Sequence, residues 1–187
     1  GLGFFQDDIN MIGQCYKNLE KGKSRVMEKV KEPNQKMPAL IIGSGPSLTE
    51  LLPFIKENQD KVVIFACGTS IDNLLNYGIT PDFYAIAERG KDILIQARET
   101  SKLYNTKNTY FVGSTSIFPG VSKLFKDAIF FFRPGLSCSP LFAEPEQIAL
   151  VPDPLAANAG LSIGLHLGFR DFYLCGVDMG SEYKTHG

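Results

Sequence analysis

Residues 38–50 constrain the fold of this chain more than any other segment. They begin with the unbroken apolar run Ala39–Ile42, which leads directly into Gly43-Ser44-Gly45-Pro46-Ser47. A short apolar run that stops at glycines is typical of a strand buried on both faces of a parallel sheet. Ser47 and Glu50 have the spacing of a capping box, which predicts that a helix begins there. The segment therefore predicts a strand, a tight turn and a helix, in that order.

This arrangement predicts an anion site. Glycines allow a sharp turn and a close approach of a ligand to the backbone, and a helix N-terminus offers free N–H groups and a positive dipole end. We therefore predict that the turn binds a phosphorylated ligand, most simply a nucleotide, through Gly43, Ser44, Gly45, Pro46 and Ser47. The alternative is that Gly45-Pro46 makes only a compact turn, because glycine-containing turns are common between strands and helices.

The rest of the chain repeats the strand–helix pattern about five times. Predicted strands cover 39–42, 61–67, 81–87, 109–112, 128–132 and 172–175, and predicted helices alternate with them, the last at 156–167. This alternation predicts an α/β fold, a Rossmann-like three-layer αβα sandwich with a mostly parallel sheet. We predict an N-terminal helix and linker at 1–37 and a Rossmann-like nucleotide-binding domain at 38–187. The absence of an initial Met and the end of the chain soon after a strand suggest a domain cut from a longer protein.

Small and polar residues follow several of the predicted strands. Ligands of parallel sheets bind at the carboxyl ends of the strands, so we expect these residues to converge on one ligand. Outside the first turn they are Gly68, Thr69, Ser70, Glu88, Ser114, Gly176 and Asp178. Residues 136–154 contain four prolines without a clear period, which makes this segment a candidate functional loop or lid.

Composition excludes several classes of function. The 187 residues suit one domain, the net charge is -1, and no basic run predicts a nucleic-acid surface. No apolar stretch is long enough to cross a membrane and no signal peptide is visible, so we predict a cytoplasmic protein without membrane contact. The four cysteines match no zinc spacing, which predicts buried thiols in a reducing compartment and no metal site, although the sequence leaves a bridge open.

Known nucleotide and hydrolase motifs are absent. Gly43-x-Gly45-x-x-Leu48 lacks the third glycine of a dinucleotide fingerprint, and the second strand ends without an acid. The chain has no P-loop motif, no Asp-x-Asp pair for a metal under a sugar nucleotide, and no G-x-S-x-G elbow. These absences disfavour a dehydrogenase, a P-loop enzyme and a Ser-His-Asp hydrolase.

Several segments resemble two related groups of glycosyltransferases. The turn Ile42-Gly-Ser-Gly-Pro-Ser-Leu48 is similar to the first motif of bacterial CMP-sialic-acid-dependent sialyltransferases. It is more similar to the central domain of the motility accessory factor (Maf) glycosyltransferases that modify flagellin. Later segments resemble further Maf blocks in order and spacing: Gly3 to Asp8, Cys67 to Ile71, Tyr77 to Asp82, Glu88, Asn158, Leu167-Gly168, Gly176 to Asp178 and Lys184 to His186. Archaeal 6-hydroxymethylpterin pyrophosphokinases share the first motif.

The resemblance implies a transferase that uses a CMP-activated nonulosonic sugar and glycosylates Ser or Thr hydroxyls of flagellin. It implies that the first turn, Thr69 and Ser70 hold the nucleotide, that Glu88 binds ribose or base, and that Asn158 lies near the phosphate. The acceptor hydroxyl needs a base, and we take His186 and Asp178 as candidate catalytic residues; His166 lies inside a helix and is interpreted as structural.

Structural roles remain open for the same residues, since Glu88, Asn158 and Asp178 each suit a cap. Two other functions also remain open. One is a pterin pyrophosphokinase-like enzyme, which would use ATP and Mg²⁺; the other is a nucleotide-binding module without catalysis. For the glycosyltransferase itself no cofactor is implied beyond its donor substrate.

Overall fold

A seven-stranded, all-parallel sheet forms the centre of the molecule. The structure is a computed structural model that describes residues 2–20 and 24–178. The strands are β1 (Arg25–Val26), β2 (Ala39–Ile42), β3 (Val63–Cys67), β4 (Phe83–Ile86), β5 (Tyr110–Ser114), β6 (Ala128–Phe131) and β7 (Phe172–Cys175). Their order is β1-β6-β5-β4-β3-β2-β7. The predicted α/β fold is confirmed.

The strand order reverses direction at β2. From β2 to β6 each new strand is added on the same side, whereas β7 returns to the other side of β2. Ile42 at the end of β2 is level with Ala66 of β3 and Cys175 of β7, so the turns that follow these three strands leave the sheet side by side. A reversal of this kind opens a crevice at the carboxyl ends of the strands, and such crevices bind ligands in doubly wound sheets.

Helices cover both faces of the sheet. They are α1 (Leu2–Leu19), α2 (Leu48–Asn58), α3 (Ser70–Asn76), α4 (Lys91–Leu103), α5 (Ser139–Phe142) and α6 (Ala156–His166). Alternate residues of β2 and β3 face opposite layers: Leu40 and Ile64 pack with residues of α2, α3 and α4, whereas Ile41 and Phe65 pack with residues of α6. Within the two described ranges, no helix has both the length and the apolar character that crossing a membrane requires.

Two glycines allow α6 to lie directly on the sheet. A Cβ at Gly160 would overlap the Sγ of Cys67 in β3, and a Cβ at Gly164 would lie 2.7 Å from the ring of Phe172 in β7. These two positions are four residues apart, so they share one face of the helix. The small-residue pattern of 156–160 therefore places the start of α6 close to the carboxyl end of β3.

The segment predicted as a linker contributes a strand. Arg25 and Val26 pair with Ile129 and Phe130 as the edge strand β1. The main-chain N–H groups of Lys29 and Val30 donate to the carbonyls of Glu146 and His166, each at 3.0 Å. The predicted helix and linker at 1–37 therefore omit a strand, because two-residue strands show no alternation that a sequence pattern can reveal.

Helix α1 lies across the carboxyl ends of β5 and β6. Its Asn18 side chain donates to the carbonyls of Thr115 and Ile117, at 2.9 and 2.8 Å. Cys15 packs with Phe132 and Cys138, and all three are buried. The N-terminal helix thus covers the carboxyl ends of β5 and β6 and leaves those of β2, β3, β4 and β7 uncovered.

Residues 136–154 are more ordered than a free loop. They contain α5 and a 3-10 turn at Pro145–Gln147, and Ile148 forms a parallel bridge with Phe132. Hydrogen bonds from Phe132 N–H to Gln147 O, at 3.1 Å, and from Ala149 N–H to Phe132 O, at 2.8 Å, hold this bridge beside β6. Because these contacts hold the segment against the sheet, they do not support a lid formed by the whole of it.

His166 is a core residue, as expected. Because it is buried, we predict that the free energy of unfolding changes with pH just below neutrality. His166 is 2% exposed, its Nε2 accepts from the Leu150 N–H at 3.3 Å, and burial, assisted by the charge of Lys29, lowers the pKa of the imidazole. The unfolded chain, with an ordinary pKa of about 6.5, therefore takes up the proton first. Stability should be complete above about pH 6.5 and fall below it by up to about 1.4 kcal/mol per pH unit.

Urea unfolding at pH 7.5 and pH 5.5 measures this effect. We expect the wild type to lose stability between these values, and His166→Gln, which keeps a hydrogen-bond acceptor for Leu150, to lose much less. An equal pH dependence in both proteins would show that His166 is not its source.

The described cysteines are free thiols. Cys15, Cys67 and Cys138 are buried, as predicted, and Cys175 is half-buried. Burial raises the pKa of the Cys67 thiol to about 12, so this group stays protonated and packs as a small apolar residue.

Candidate functional site

A cleft of about 280 Å³ lies at the carboxyl ends of β2, β3, β4 and β7. It is lined by residues 43–45, 67–69, 155–157 and 176–178, together with Ile86, Glu88, Ile93 and Gln96. The start of α6 forms one side and α4 forms the other, because these helices cover opposite faces of the sheet. Its position at the reversal of strand order and its size, near the lower end of the range of roughly 300–1,000 Å³ for small-molecule sites, suit a ligand site.

The glycines of the first turn fit against the turn after β7. The Gly43 N–H donates to Cys175 O at 2.9 Å, and the Gly45 N–H donates to Gly176 O at 2.7 Å. A Cβ at Gly45 would lie 2.5 Å from Asp178 Oδ1 and 2.8 Å from Gly176 O, and a Cβ at Gly43 would overlap Gly176 O. Close packing of two backbone turns therefore requires these glycines, whether or not a ligand approaches them.

Ser47 forms hydrogen bonds with Asp178 and does not form the predicted capping box. Ser47 is the N-cap of α2, but its side chain makes no cap hydrogen bond within the helix. Its hydroxyl donates to Asp178 Oδ1, and its main-chain N–H donates to Asp178 Oδ2 at 3.2 Å. The expectation of a capping box with Glu50 is wrong because a carboxylate from the β7 turn takes the place of the local partner.

The Ser47 contact also changes the chemistry of Asp178. The Ser47 hydroxyl lowers the pKa of this carboxyl below its ordinary value. A lowered pKa makes a poorer proton acceptor at neutral pH, because a general base works best with a pKa near the working pH. The protein's own carboxylate also occupies the N-terminus of α2, where the sequence predicts an anion.

The second turn, at 67–69, is joined to the first by side chains. Gly68 has a positive φ of 60°, and its N–H donates to Ala85 O at 3.1 Å. The Thr69 hydroxyl donates to the Ser44 hydroxyl at 2.9 Å, and both residues line the cleft. Ser70 does not line it: this residue is fully buried, with its Oγ 2.8 Å from Ile42 O and accepting from the Cys67 N–H at 2.9 Å.

The start of α6 faces the cleft. Leu155 is the N-cap, with an extended backbone and no side-chain cap, and Ala156 and Ala157 follow it along the cleft wall. Ala156 lies close to the second turn, since a Cβ at Gly68 would be 3.2 Å from the Ala156 Cβ. Asn158 lies in the same first turn of the helix, but it is not among the residues that line the cleft.

Glu88 lies in the cleft beyond the end of β4. Its side chain is exposed, and its Oε2 accepts from the Ala87 N–H at 3.2 Å. The next residue, Arg89, points away to Asp7 of α1 at 2.9 Å. Among the described lining residues the only charged side chains are the carboxylates of Glu88 and Asp178, so an anion would depend on main-chain dipoles such as the α6 N-terminus.

Only part of the predicted convergence occurs. Gly43, Ser44, Gly45, Gly68, Thr69, Glu88, Gly176 and Asp178 line one cleft. Pro46 and Ser47 lie beside it, whereas Ser114 is fully buried, with its hydroxyl 2.9 Å from that of Ser116, under α1. The expectation that all the strand ends meet is wrong at β5, because α1 covers that end.

Half of the lining residues were not predicted to contact a ligand, among them Ile93, Gln96, Ala156 and Ala157. Ala156 and Ala157 begin a predicted helix, and Ile93 and Gln96 belong to another, so their sequence pattern indicates helix and no ligand. The fold brings these residues to the cleft from elements far apart in the chain, so no local pattern marks them. His186, the candidate base, lies outside the described residues.

Metal ligands do not cluster in the described ranges. Within residues 2–20 and 24–178, no group of three or more His, Cys, Asp or Glu side chains is placed to hold a metal ion.

Three comparisons with known proteins bear on the chain. A family model described as 6-hydroxymethylpterin diphosphokinase MptE-like matches residues 13–184. The solved structure of a Maf glycosyltransferase from Magnetospirillum magneticum AMB-1 superposes with a TM-score of 0.92 and 35% sequence identity, covering 100% of this chain and 30% of that one. An uncharacterized protein of Treponema pallidum (strain Nichols) is 37% identical over 51 residues, which are 27% of this chain and 24% of that protein.

The coverage figures limit what each similarity describes. The chain spans less than a third of the length of the solved glycosyltransferase and about a quarter of the Treponema protein. An activity of either longer protein is a property of the whole protein, and this chain matches only a part of it.

Proposed function

Because the chain belongs to the 6-hydroxymethylpterin diphosphokinase MptE-like family, whose model spans 13–184, we propose that its cleft binds the nucleoside phosphate of an activated donor. We propose further that the chain acts as the donor-binding domain of a glycosyltransferase. The observation that carries this proposal is the match to a Maf glycosyltransferase structure, at 35% identity and a TM-score of 0.92 over the whole chain.

The donor in this proposal is a CMP-activated nonulosonic sugar, and the acceptor is a Ser or Thr hydroxyl of flagellin or another protein. The resemblance of the motifs at 42–48 and 67–71 to Maf blocks supports this choice. The proposed reaction takes place in the cytoplasm and involves neither nucleic acid nor a membrane.

In the proposed complex the phosphate lies at the start of α6. The N–H groups of the first helical turn and the helix dipole favour an anion there, and Ala156 and Ala157 leave room for it. The turns at 43–45 and 67–69 form the floor of the cleft, where the Ser44 and Thr69 hydroxyls could form hydrogen bonds with the ligand. Glu88 would accept hydrogen bonds from ribose hydroxyls, a role that acids perform at the ends of strands in related sheets.

The proposed chemistry separates CMP from the anomeric carbon of the sugar. Charge develops on the leaving phosphate, and the α6 N-terminus would stabilise it, since fixed dipoles cost no reorganisation during the reaction. Asp178 is held by Ser47 and its pKa is lowered, so we propose that it fixes the first turn and does not accept the proton. His186 remains the proposed base.

A charge at position 157 tests the place of the phosphate. We expect Ala157→Glu to weaken CMP binding at least tenfold, because its carboxylate would occupy the dipole end that the phosphate needs. Ala157→Gln is the matched control, with nearly the same shape and no charge, and it should lose less affinity. Titration calorimetry measures both, and melting temperatures should show that neither variant is destabilised by more than a few degrees.

Equal losses in the two variants would mean that size and not charge matters at Ala157, and would count against a phosphate there. Unchanged affinity in Ala157→Glu would remove the start of α6 from the proposed site altogether.

The description of the family model favours a second candidate, an ATP-dependent diphosphokinase-like enzyme. Mg²⁺ bound with nucleotide phosphates commonly uses one or two carboxylates, and Glu88 and Asp178 would be the candidates in this cleft. Melting shifts discriminate the candidates: stabilisation by CMP and not by ATP with Mg²⁺ supports the transferase, and the reverse supports the kinase. Binding without transfer to any acceptor would favour a non-catalytic module.

A further inference from the structure

Gln96 is a lining residue of the cleft with a fixed side-chain orientation. It lies on α4, is half-buried, and forms the wall near Ile86, Glu88 and Ile93. Its amide is within hydrogen-bond distance of Asp72 in α3, at 3.2 Å from Oδ2. This part of the cleft is distant in sequence from the turns discussed above, and it combines apolar side chains with two polar groups.

The partner of Gln96 determines which end of its amide faces the ligand. The side-chain NH₂ group of Gln96 donates to Asp72 Oδ2, since a carboxylate oxygen is the natural acceptor for an amide donor. The other oxygen of Asp72 accepts from the Thr100 hydroxyl at 2.5 Å, and Thr100 is buried. With Asp72 held by Thr100 and the NH₂ group held by Asp72, the acceptor Oε1 of Gln96 is turned away from Asp72.

The surroundings of Gln96 suit one end of a nucleotide. Ile93, which is half-buried, offers apolar surface for a flat ring above the buried Ile86, whereas the α6 start, where the phosphate is proposed, belongs to the opposite helical layer. A base placed against Ile93 would present its edge to the polar groups of this wall. The acceptor Oε1 of Gln96 would form a hydrogen bond with an amino group at that edge and would be repelled by a carbonyl oxygen.

We propose that Gln96, positioned by Asp72, selects a base that carries an amino group on its pairing edge, namely cytosine or adenine, against uracil and hypoxanthine. This inference rests on the proposed function of the cleft as a nucleotide site. Facing two acceptors leaves both without a donor, which corresponds to a loss of about 5- to 100-fold in affinity. Gln96 is the binding residue, and Asp72 is a positioning residue that sets which end of the amide is exposed.

The test compares CMP with UMP by titration calorimetry, and AMP with IMP as a second pair. We expect the wild type to bind the amino base of at least one pair 5- to 100-fold more tightly than its keto partner. Gln96→Met, which keeps length without polarity, should bring that ratio close to one. Asp72→Asn should lower or invert the ratio, because Thr100 retains the Asn oxygen and the Asn amide then donates to Gln96 Oε1, which turns the Gln96 NH₂ toward the cleft.

Glu99→Gln is the matched control. It is also an acid-to-amide change, but it lies on the exposed side of α4 in a surface ion pair with Lys102. The control should keep the wild-type ratio, and melting curves establish that each variant is folded.

The outcomes separate two failures. If the wild type binds the two members of both pairs equally, or if Gln96→Met keeps the wild-type ratio, the selectivity proposal is overturned while the cleft remains a nucleotide site. If the wild type binds none of the four nucleotides, the proposed function fails and the selectivity proposal falls with it.

Discussion

Gly176→Ala is expected to lower the free energy of unfolding by about 3–4 kcal/mol and to weaken nucleotide binding. Gly176 has a positive φ of 60°, which costs an alanine about 1–2 kcal/mol. The new Cβ would also lie 2.5 Å from Gly43 O and 2.9 Å from the Leu48 Cβ, so the turns after β2 and β7 would have to separate. Because the turn at 43–45 forms part of the cleft floor, its displacement should reduce affinity for CMP.

Gly135→Ala is the control for this prediction. Gly135 has a similar positive φ of 76°, but a Cβ there would meet nothing within 4 Å. It should therefore cost only the backbone strain, about 1–2 kcal/mol, and leave binding unchanged. Urea unfolding and CMP titration of both variants measure the difference. Equal destabilisation would mean that contact between the two turns contributes little to stability.

Gly160→Ala is expected to destabilise the protein by about 1–3 kcal/mol, although alanine is the better helix former by about 1 kcal/mol. The reason is that its Cβ would overlap the Sγ of the fully buried Cys67, which would push α6 away from β3. Removing that sulfur should make room for the methyl group. In a Cys67→Ala background, the same Gly160→Ala change should therefore be neutral or stabilising.

The reversal of sign is measured by a double-mutant cycle of unfolding free energies. Gly13→Ala in α1 is the reference for helix propensity alone, because a Cβ at Gly13 meets nothing within 4 Å. It should stabilise the protein by up to about 1 kcal/mol. If Gly160→Ala remained equally harmful without the Cys67 sulfur, the contact between α6 and β3 would not be the cause.

Much of the fold could be predicted because the buried parallel strands are continuous apolar runs in the sequence. Ala39–Ile42 is buried at all four positions, so neither face needs a polar residue and the run is continuous. The edge strand β1 could not be predicted in this way. Its two residues, Arg25 and Val26, carry no pattern, and only the tertiary contact with β6 gives them strand geometry.

The site could be predicted where a turn directly follows a strand. Gly43, Gly68, Glu88 and Gly176 were found by this rule, and all four line the cleft. The same rule failed for Ser114, because α1, a helix more than 90 residues away in the chain, covers the end of β5.

The roles of individual residues depended on tertiary partners that the sequence does not reveal. The capping box at Ser47 was wrong because Asp178, from the other end of the chain, reaches its N–H and hydroxyl groups. The orientation of Gln96 depends on Asp72, which lies on another helix. In both cases a side chain acts through a contact that no local spacing encodes.

The central claim is that the cleft at the carboxyl ends of β2, β3, β4 and β7 binds a nucleoside phosphate. An alternative place is the apolar groove on the outer face of α2 and β7, of about 380 Å³, which is lined by Leu51, Phe54 and Tyr173 among others. An NMR titration of the ¹⁵N-labelled protein with CMP distinguishes the two places directly, because amide shifts report the nearest backbone.

We predict that the largest shift changes fall on the amides of 43–45, 68–69, 156–157 and 176, with little change around the apolar groove. Changes concentrated at Leu51, Phe54 and Tyr173, or no change at saturating CMP, would contradict the account.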